Sequence, residues 1–557
     1  MHRRLVPIAA ILCIAAAAQQ ASDRAPRTAS ITGTVYDAVS DQPLKKARVS
    51  LIRLEGQARP RTVTTGADGK FALANINEGR YRLAAERAAY ARMEYGQRSP
   101  SRPGPPITIK PGQKLTEVVF RMARAAVITG RVIDEDNEPM PNVNVSALQY
   151  RYRNGTPGLA PAERAETDDR GEYRIFGLPA GRYVISAEGS GGRRGAGRGR
   201  FFDGPGPEPE EDEKYLTAYF PGTLDSNQAV LVQAKPGDEA IGIDFKLEPS
   251  ATFRISGVTV DGESDRPLGN VRLFLMPREE SGRFVRSSGG SFVRDSSGKF
   301  EMAGVAPGAY LLFAQQFERG SDVRLSARVP VDIGRQNLDA LRVALGPGAS
   351  LEGTLKIEGA DAEGIDLTKI RVGLRGRANF PGIGGAERTE ADGAFSLNNV
   401  MPGSYDVLVY GAPENAFVKA VALNGRDALE PGIELTSSGP NGNLTVVVSL
   451  NGGRVAGAVV NEKKEAVPGA QVVLLSDKDG PRGRLLAKSA TADQYGAFTM
   501  QGVSPGGYEI YAWDDIEPGA WEDPSFIEIF RNEAKAVKVE EGSQLQIEVP
   551  VIEIAMQ

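Results

Sequence analysis

Apolar residues in this chain recur at every second position in short runs, and the runs themselves come back at fixed spacings. The anchor is a glycine, at Gly69, Gly171, Gly298, Gly393 and Gly496, followed twelve residues later by Tyr81, Tyr183, Tyr310, Tyr405 and Tyr508. Two residues after each glycine stands an aromatic (Phe71, Tyr173, Phe300, Phe395, Phe498), and four after it Leu73, Ile175, Met302, Leu397 or Met500. That period of two places both side chains on one face of a strand. With aromatics at 7% of the chain, five at one offset have a chance probability on the order of one in a million. An aspartate lies shortly before every one of these glycines (Asp68, Asp168, Asp295, Asp392, Asp493), which is hairpin-turn chemistry. Six residues after the glycine comes Asn75, Gly177, Gly304, Asn399 or Gly502, residue types that tolerate positive φ, so the chain is expected to turn again there. A second strand then begins at the tyrosine, preceded by Gly79, Gly181, Gly308, Gly403 or Gly506, with apolar residues two and four positions on, such as Leu83 and Ala85 or Ile510 and Ala512.

Each repeat also opens with apolar-x-Gly-x-apolar, as in Ile31-Thr-Gly33-Thr-Val35, Ile128 to Val132, Leu351 to Leu355 and Val455 to Val459; the third copy departs slightly, with Ile255-Ser-Gly257-Val-Thr259. A proline turn and a further strand follow, except in the fourth copy, which reaches its strand through Asp366 to Val372. Roughly seven short strands in units of roughly 95 to 125 residues predict β-sandwiches. Helix-period patterns are nearly absent. The expected organisation is a leader over 1–21 and five sandwiches over 29–123, 126–248, 252–346, 349–450 and 453–557. Joints of about four or five residues leave neighbouring sandwiches in near contact. The second unit carries an insert, 189–214, with an Arg-Gly half and an acidic half, the composition of a flexible loop.

The string apolar-x-Gly-x-Val, a proline turn, Asp-x-x-Gly-x-(Phe/Tyr) and Gly-x-Tyr resembles the carboxypeptidase regulatory-like domain. The resemblance implies an all-β chain, a tandem array of five immunoglobulin-like or transthyretin-like β-sandwich domains of carbohydrate-binding-like type. It does not imply one function. In metallocarboxypeptidases such a module sits beside a zinc peptidase domain, and in TonB-linked receptors before a plug and barrel, neither of which is present in this sequence. The length, the leader and the stretch Tyr511 to Pro524 are also similar to exported multi-repeat proteins of soil bacteria such as acidobacteria.

The 557 residues contain one histidine, His2, and one cysteine, Cys13. Both fall in a segment that reads as a secretory signal peptide: Met-His-Arg-Arg, an apolar run from Leu5 to Ala18, then small and polar residues. Cleavage near Ala18 or Ala21 leaves neither residue, which removes Ser-His-Asp and Cys-His catalysis, His- or Cys-ligated zinc and disulfides together. No catalytic residue, cofactor or metal ligand is therefore assigned, and no enzyme activity is expected. The formal charge of −5 falls to −7 without Arg3 and Arg4, and no basic face marks a nucleic-acid partner. The apolar run of about 14 residues is short of the roughly 20 that a spanning helix needs, so no transmembrane segment is expected in the mature chain.

One constellation invites a ligand. Both tryptophans lie in Tyr511-Ala-Trp513-Asp514-Asp515-Ile-Glu517-Pro-Gly-Ala-Trp521-Glu522-Asp523. Tyr511, Trp513 and Trp521 could stack on sugar rings or peptide while Asp515 bonds to hydroxyls; alternatively, Trp513 extends a core strand and Trp521 pins the loop. The second unit's Tyr215-Leu-Thr-Ala-Tyr219-Phe220 loop is a weaker relative. A paired-carboxylate glycosidase needs two acids across a cleft, whereas the acids here cluster in turns. The run Asp134 to Glu138 reads either as an oxygen-rich calcium loop or as a solvated hairpin. The repeated tyrosine is read as a structural hydroxyl bonded to nearby backbone, as in a tyrosine corner. The functional expectation is an exported binding or adhesion scaffold, periplasmic or extracellular, with polysaccharide or envelope proteins as partners. Alternatives are a structural spacer, or an accessory part of a carboxypeptidase or glycoside hydrolase system.

Overall fold

The repeated opening strand pairs on both sides in the computed structural model, which describes residues 28–554 apart from 56–58, 98–101, 154–155, 189–212, 279–288, 317–324, 361, 378–385, 437–439, 479–482 and 484. The expected leader and nearly all of the insert lie outside the described residues. The chain separates into a smaller unit, Met1–Gln97 with Gly104–Arg124, and a larger one, Arg98–Pro103 with Ala125–Gln557. The smaller holds one β-sandwich and the larger four, so five sandwiches stand in tandem.

The first sandwich shows the plan. Its opening strand, Ala29–Asp37, lies between Lys70–Ile76, antiparallel, and Lys114–Met122, parallel. The facing sheet runs Arg61–Thr64, Arg48–Arg53, Gly79–Glu86, with Ile107–Ile109 on the far side. The inward positions of both sheets, among them Ile31, Val35, Val49, Leu51, Phe71, Leu73, Leu83 and Phe120, form one buried core. The same order recurs around the opening strands Ala126–Ile133, Phe253–Asp261, Ala349–Glu358 and Gly453–Val460. In the third sandwich the two sheets join at one edge, where Leu325 pairs with Pro347 and Ser326 with Gly346. In the fourth, Phe417–Leu423 adds a strand beyond the closing one.

The recurring residues each have a geometric task. The turn glycines adopt φ from +69° to +86°, where a Cβ is costly, and a Cβ there would also press on the carbonyl oxygen of Val35, Val132, Thr259, Leu355 or Val459. Those five opening-strand residues donate their amides to the turn-glycine carbonyls at 2.8–2.9 Å, fixing the hairpin to the sheet. The aspartates accept amides two residues on, for example Asp68 from Lys70 and Asp493 from Tyr495, so their role is local turn capping. Opposite each opening-strand glycine lies the repeat's aromatic: Gly33 with Phe71, Gly130 with Tyr173, Gly257 with Phe300, Gly353 with Phe395 and Gly457 with Phe498. Any side chain on these glycines would collide with the closing strand's backbone. Asn75, Gly177, Gly304, Asn399 and Gly502, at φ from +56° to +83°, sit where the register slips between that strand and the opening one, a β-bulge in every copy.

Within the larger unit the fourth and fifth sandwiches are docked. Asn415 donates its amide side chain to the Leu450 carbonyl at 2.5 Å and accepts the Gly452 amide at 2.9 Å, while Ser449 donates to Glu541 at 2.9 Å. Gly502 lies against the carbonyls of Glu414 and Ala416, leaving no room for a Cβ.

Candidate functional site

The tyrosine that ends the repeat behaves alike in all five copies. Its hydroxyl donates to the carbonyl four residues upstream: Tyr81 to Asn77 at 2.9 Å, Tyr183 to Pro179 at 2.7 Å, Tyr310 to Ala306 at 2.9 Å, Tyr405 to Met401 at 2.6 Å and Tyr508 to Ser504 at 2.7 Å. All five are buried. Burial pushes the phenols of Tyr183 and Tyr405 up to about 12, since an ionised oxygen there would lose its water. Each ring occupies the core and each hydroxyl closes the corner, so none is presented to a ligand.

The fifth sandwich departs from the others on the outer face of its second sheet. Along Gln471–Ser476 and Gly506–Trp513, Val472, Leu474, Ile510 and Ala512 face the sandwich core. The alternate residues Val473, Tyr511 and Trp513 face outward, where the first two sandwiches carry Ser50, Ala84 and Glu86 or Ser146, Ser186 and Glu188. Apolar side chains on an outer face need a cover. It is supplied by the segment after Trp513, which folds into a short helix, Pro524–Phe530, capped by Asp523 through the Ser525 amide at 2.9 Å. Phe526 and Phe530, four residues apart, pack their rings on Trp513 at 5.8 and 5.9 Å. Tyr511 stacks on Trp513 at 5.1 Å with the planes 4° apart. With Ile516 and Ile552 these residues form a second, smaller core outside the sandwich, flanked by Trp521.

The four expected ligand residues are placed as follows. Tyr511 and Trp513 are completely buried, with their rings packed in the small core. The Tyr511 hydroxyl donates to Glu509 at 2.7 Å, and burial drives its phenol pKa upward. Trp521 is half-buried against the small core, which pins the loop. Asp515 pairs with Arg102, and Asp514 accepts the Ile554 amide at 3.3 Å, so both acids have partners within the chain. Among the described residues the indole nitrogen of Trp513 is buried without a hydrogen-bond partner. The helix itself was not legible as part of a loop reading, although Asp523-Pro524-Ser525 ahead of Phe526, Ile527 and Phe530 is a capped helix start.

The other candidates resolve similarly. Asp134 accepts the amides of Asp136 and Glu138 at 3.0 and 2.8 Å, the geometry of a hairpin that caps itself. Among the described residues no group of three or more His, Cys, Asp or Glu is placed to hold a metal ion. Tyr219 is buried, and Phe220 sets its ring edge-on to Phe245 of its own sandwich at 6.1 Å. Pattern reading passed over buried Thr65 and Thr167, four residues before the turn glycines. Each donates to a carbonyl (Leu44, Met140) at 2.6 Å and accepts an amide (Ala47, Val143) at 2.9 Å, tying two strands together. Thr389 stands at the same offset and donates to the Leu367 carbonyl. The repeated offset was the available signal. Among the described residues no helix is long and apolar enough to cross a membrane.

The family model of the carboxypeptidase regulatory-like domain matches residues 30–123 and 127–198. No curated protein sequence matches the chain. Among solved structures, the streptococcal ancillary pilin is similar at 14% identity and a TM-score of 0.20, over 57% of this chain and 99% of that one. The minor pilin GBS52 of Streptococcus agalactiae is similar at 12% identity and a TM-score of 0.22, over 40% and 96%. Two B repeat units of the collagen-binding protein of Staphylococcus aureus are similar at 12% identity and a TM-score of 0.14, over 76% and 100%.

Proposed function

We propose that this protein is an exported, non-catalytic scaffold of the cell envelope, periplasmic or extracellular, that works through contact surfaces on its five sandwiches. One observation carries the reading. The residues that recur in all five units, and the tryptophan-bearing face that distinguishes the fifth, are spent inside the fold on turns, bulges, corner hydroxyls and a second core. What is left to vary between units is strand edges and loop surfaces, the parts through which sandwiches engage other proteins. Envelope proteins are the favoured partners.

Polysaccharide remains a second reading because Trp521 is the one ring of the expected trio that is not fully buried. The two readings separate in one experiment. The chain without its leader is incubated with cell-envelope material and with a glycan array, beside Trp521→Ala and a variant lacking residues 453–557. Envelope-protein capture that survives Trp521→Ala supports the scaffold. Glycan signal that Trp521→Ala abolishes supports polysaccharide, and turnover on a hydrolase panel would overturn both.

A further inference from the structure

The second sandwich has an unusual hairpin. Its strands Asn144–Arg153 and Thr156–Glu166 have 10 and 11 residues, where the equivalent pair in the first sandwich, Arg48–Arg53 and Arg61–Thr64, has 6 and 4. Only Asn144 to Leu148 pairs with the next strand of the sheet, Gly181–Glu188. The outer half, through Tyr152, is paired only with its own return strand. At about 3.4 Å per residue the four extra positions carry the tip roughly 14 Å farther. A two-stranded ribbon in water is marginal by itself, so such an extension calls for something to pack on.

That something is present within the larger unit. In the fifth sandwich's loop, Gly519 adopts φ +82°, and a Cβ built on it would lie 3.0 Å from the Tyr152 Cβ and 3.1 Å from the Tyr152 carbonyl oxygen. The hairpin backbone therefore rests on the glycine, at the turn Ala520–Glu522 that holds Trp521. Tyr152 is half-buried. Its phenol is pushed upward by burial first and then by the negative charges of Asp523 and Glu517. Asp515 of the same loop pairs with Arg102.

We propose that the acidic, tryptophan-bearing loop Asp514–Asp523 is a docking site for the chain's own hairpin, filled in cis by Tyr152. The loop's shape suits that occupant: a glycine, with no side chain of its own, seats the hairpin backbone at Tyr152. The loop is thereby closed to outside ligands while the hairpin is seated, and sandwiches far apart in sequence are joined. A seated hairpin therefore weighs against the polysaccharide reading, which depends on Trp521 of this loop, and leaves the scaffold reading unaffected.

Disulfide trapping tests it directly. Cys13 is the only cysteine of the sequence, so in a Cys13→Ala background Tyr152→Cys with Gly519→Cys supplies the only two thiols. A small outward shift from 3.0 Å reaches the ~3.8 Å Cβ separation of a disulfide. The oxidised double variant is expected to run as a compact monomer on a non-reducing denaturing gel, with both single variants unchanged. Free thiols, or disulfides that join two chains, would overturn docking in cis. Should cysteine at Gly519 prevent folding, Tyr152→Asp reads the same contact. Hydrogen exchange at the amides of Gly519 to Asp523 is expected to quicken at least about tenfold, and unchanged exchange would overturn the proposal.

Discussion

Replacing Tyr508 by phenylalanine removes one oxygen from a residue that is 2% exposed and whose hydroxyl donates to the Ser504 carbonyl at 2.7 Å. The ring still fills its place, so the perturbation is confined to the corner hydrogen bond. The net worth of such a bond is about 1 kcal/mol, and the carbonyl left short of a partner inside the fold raises the loss to about 1–2 kcal/mol. The assay follows from where the tryptophans are: Trp513 and Trp521 are the only two in the chain and both belong to the fifth sandwich. Their fluorescence in the full chain therefore reports the unfolding of that sandwich among five. With a urea slope of about 2 kcal/mol per molar for a unit of this size, the midpoint is expected to fall by about 0.5–1 M. Tyr183→Phe, the same change in the second sandwich, should leave the tryptophan transition in place. An unshifted midpoint in Tyr508→Phe would refute the structural role assigned to all five tyrosines, and an equal shift in Tyr183→Phe would refute the independence of the fifth sandwich's transition.

Further outcomes can be checked with the same protein. Trp513→Ala opens a void between the sheet and the helix Pro524–Phe530 and should cost about 3–5 kcal/mol by urea unfolding, with Trp521→Ala costing distinctly less. Gly457→Ala drives a methyl into the carbonyl of Ile547 on the closing strand and should destabilise by roughly 1–3 kcal/mol or more, whereas the same change at Gly334, with open space around it and no positive φ, should be mild. Alkaline titration of phenolate absorbance should show Tyr183 and Tyr405 ionising near 12 instead of their ordinary 10.0. Because the folded value is the raised one, the stability they contribute is complete below pH 10.0 and lost as pH climbs through about 12, so alkaline unfolding should begin in that window. Asp37, whose carboxylate accepts the Ser40 amide, the Tyr90 hydroxyl and the Val39 amide, is held well below the ordinary 3.8. Its contribution is complete above that value and lost on acidification, so Asp37→Asn should flatten the acid limb of the first sandwich's stability measured by hydrogen exchange.

The fold was readable because its signals are local and repeated. A turn needing positive φ admits few residues, and an aromatic opposite a glycine obeys a strict period of two, so Gly69 with Phe71 and Gly496 with Phe498 announce the same hairpin. The corner tyrosines were readable for the same reason, their acceptor being only four residues away. The tryptophan loop was harder. Its composition is equally that of a sugar platform and of a second core, and the choice depends on whether a later segment covers the sheet. The signal was present in register: the position five after the tyrosine reads Glu86, Glu188, Gln315, Tyr410 and then Trp513, a polar surface turning apolar in the last copy. Contacts between distant units, such as Tyr152 with Gly519, have no local signature beyond the added length of one hairpin.

The parallel pairing of first and last strands has a mechanical meaning. A chain that enters a sandwich along one strand and leaves along a parallel neighbour emerges at the opposite end, so tension on the polypeptide pulls those two strands past each other along their length. Their hydrogen bonds are loaded in shear and must give way together instead of unzipping one by one. In the fourth sandwich this clamp is long, from Ser350 opposite Pro440 to Glu358 opposite Ser449. In the second it is broken into Glu239–Ala240 and Phe245–Lys246, with two pairs in each piece. Under load the second sandwich should yield first, lengthening the chain while the other four hold.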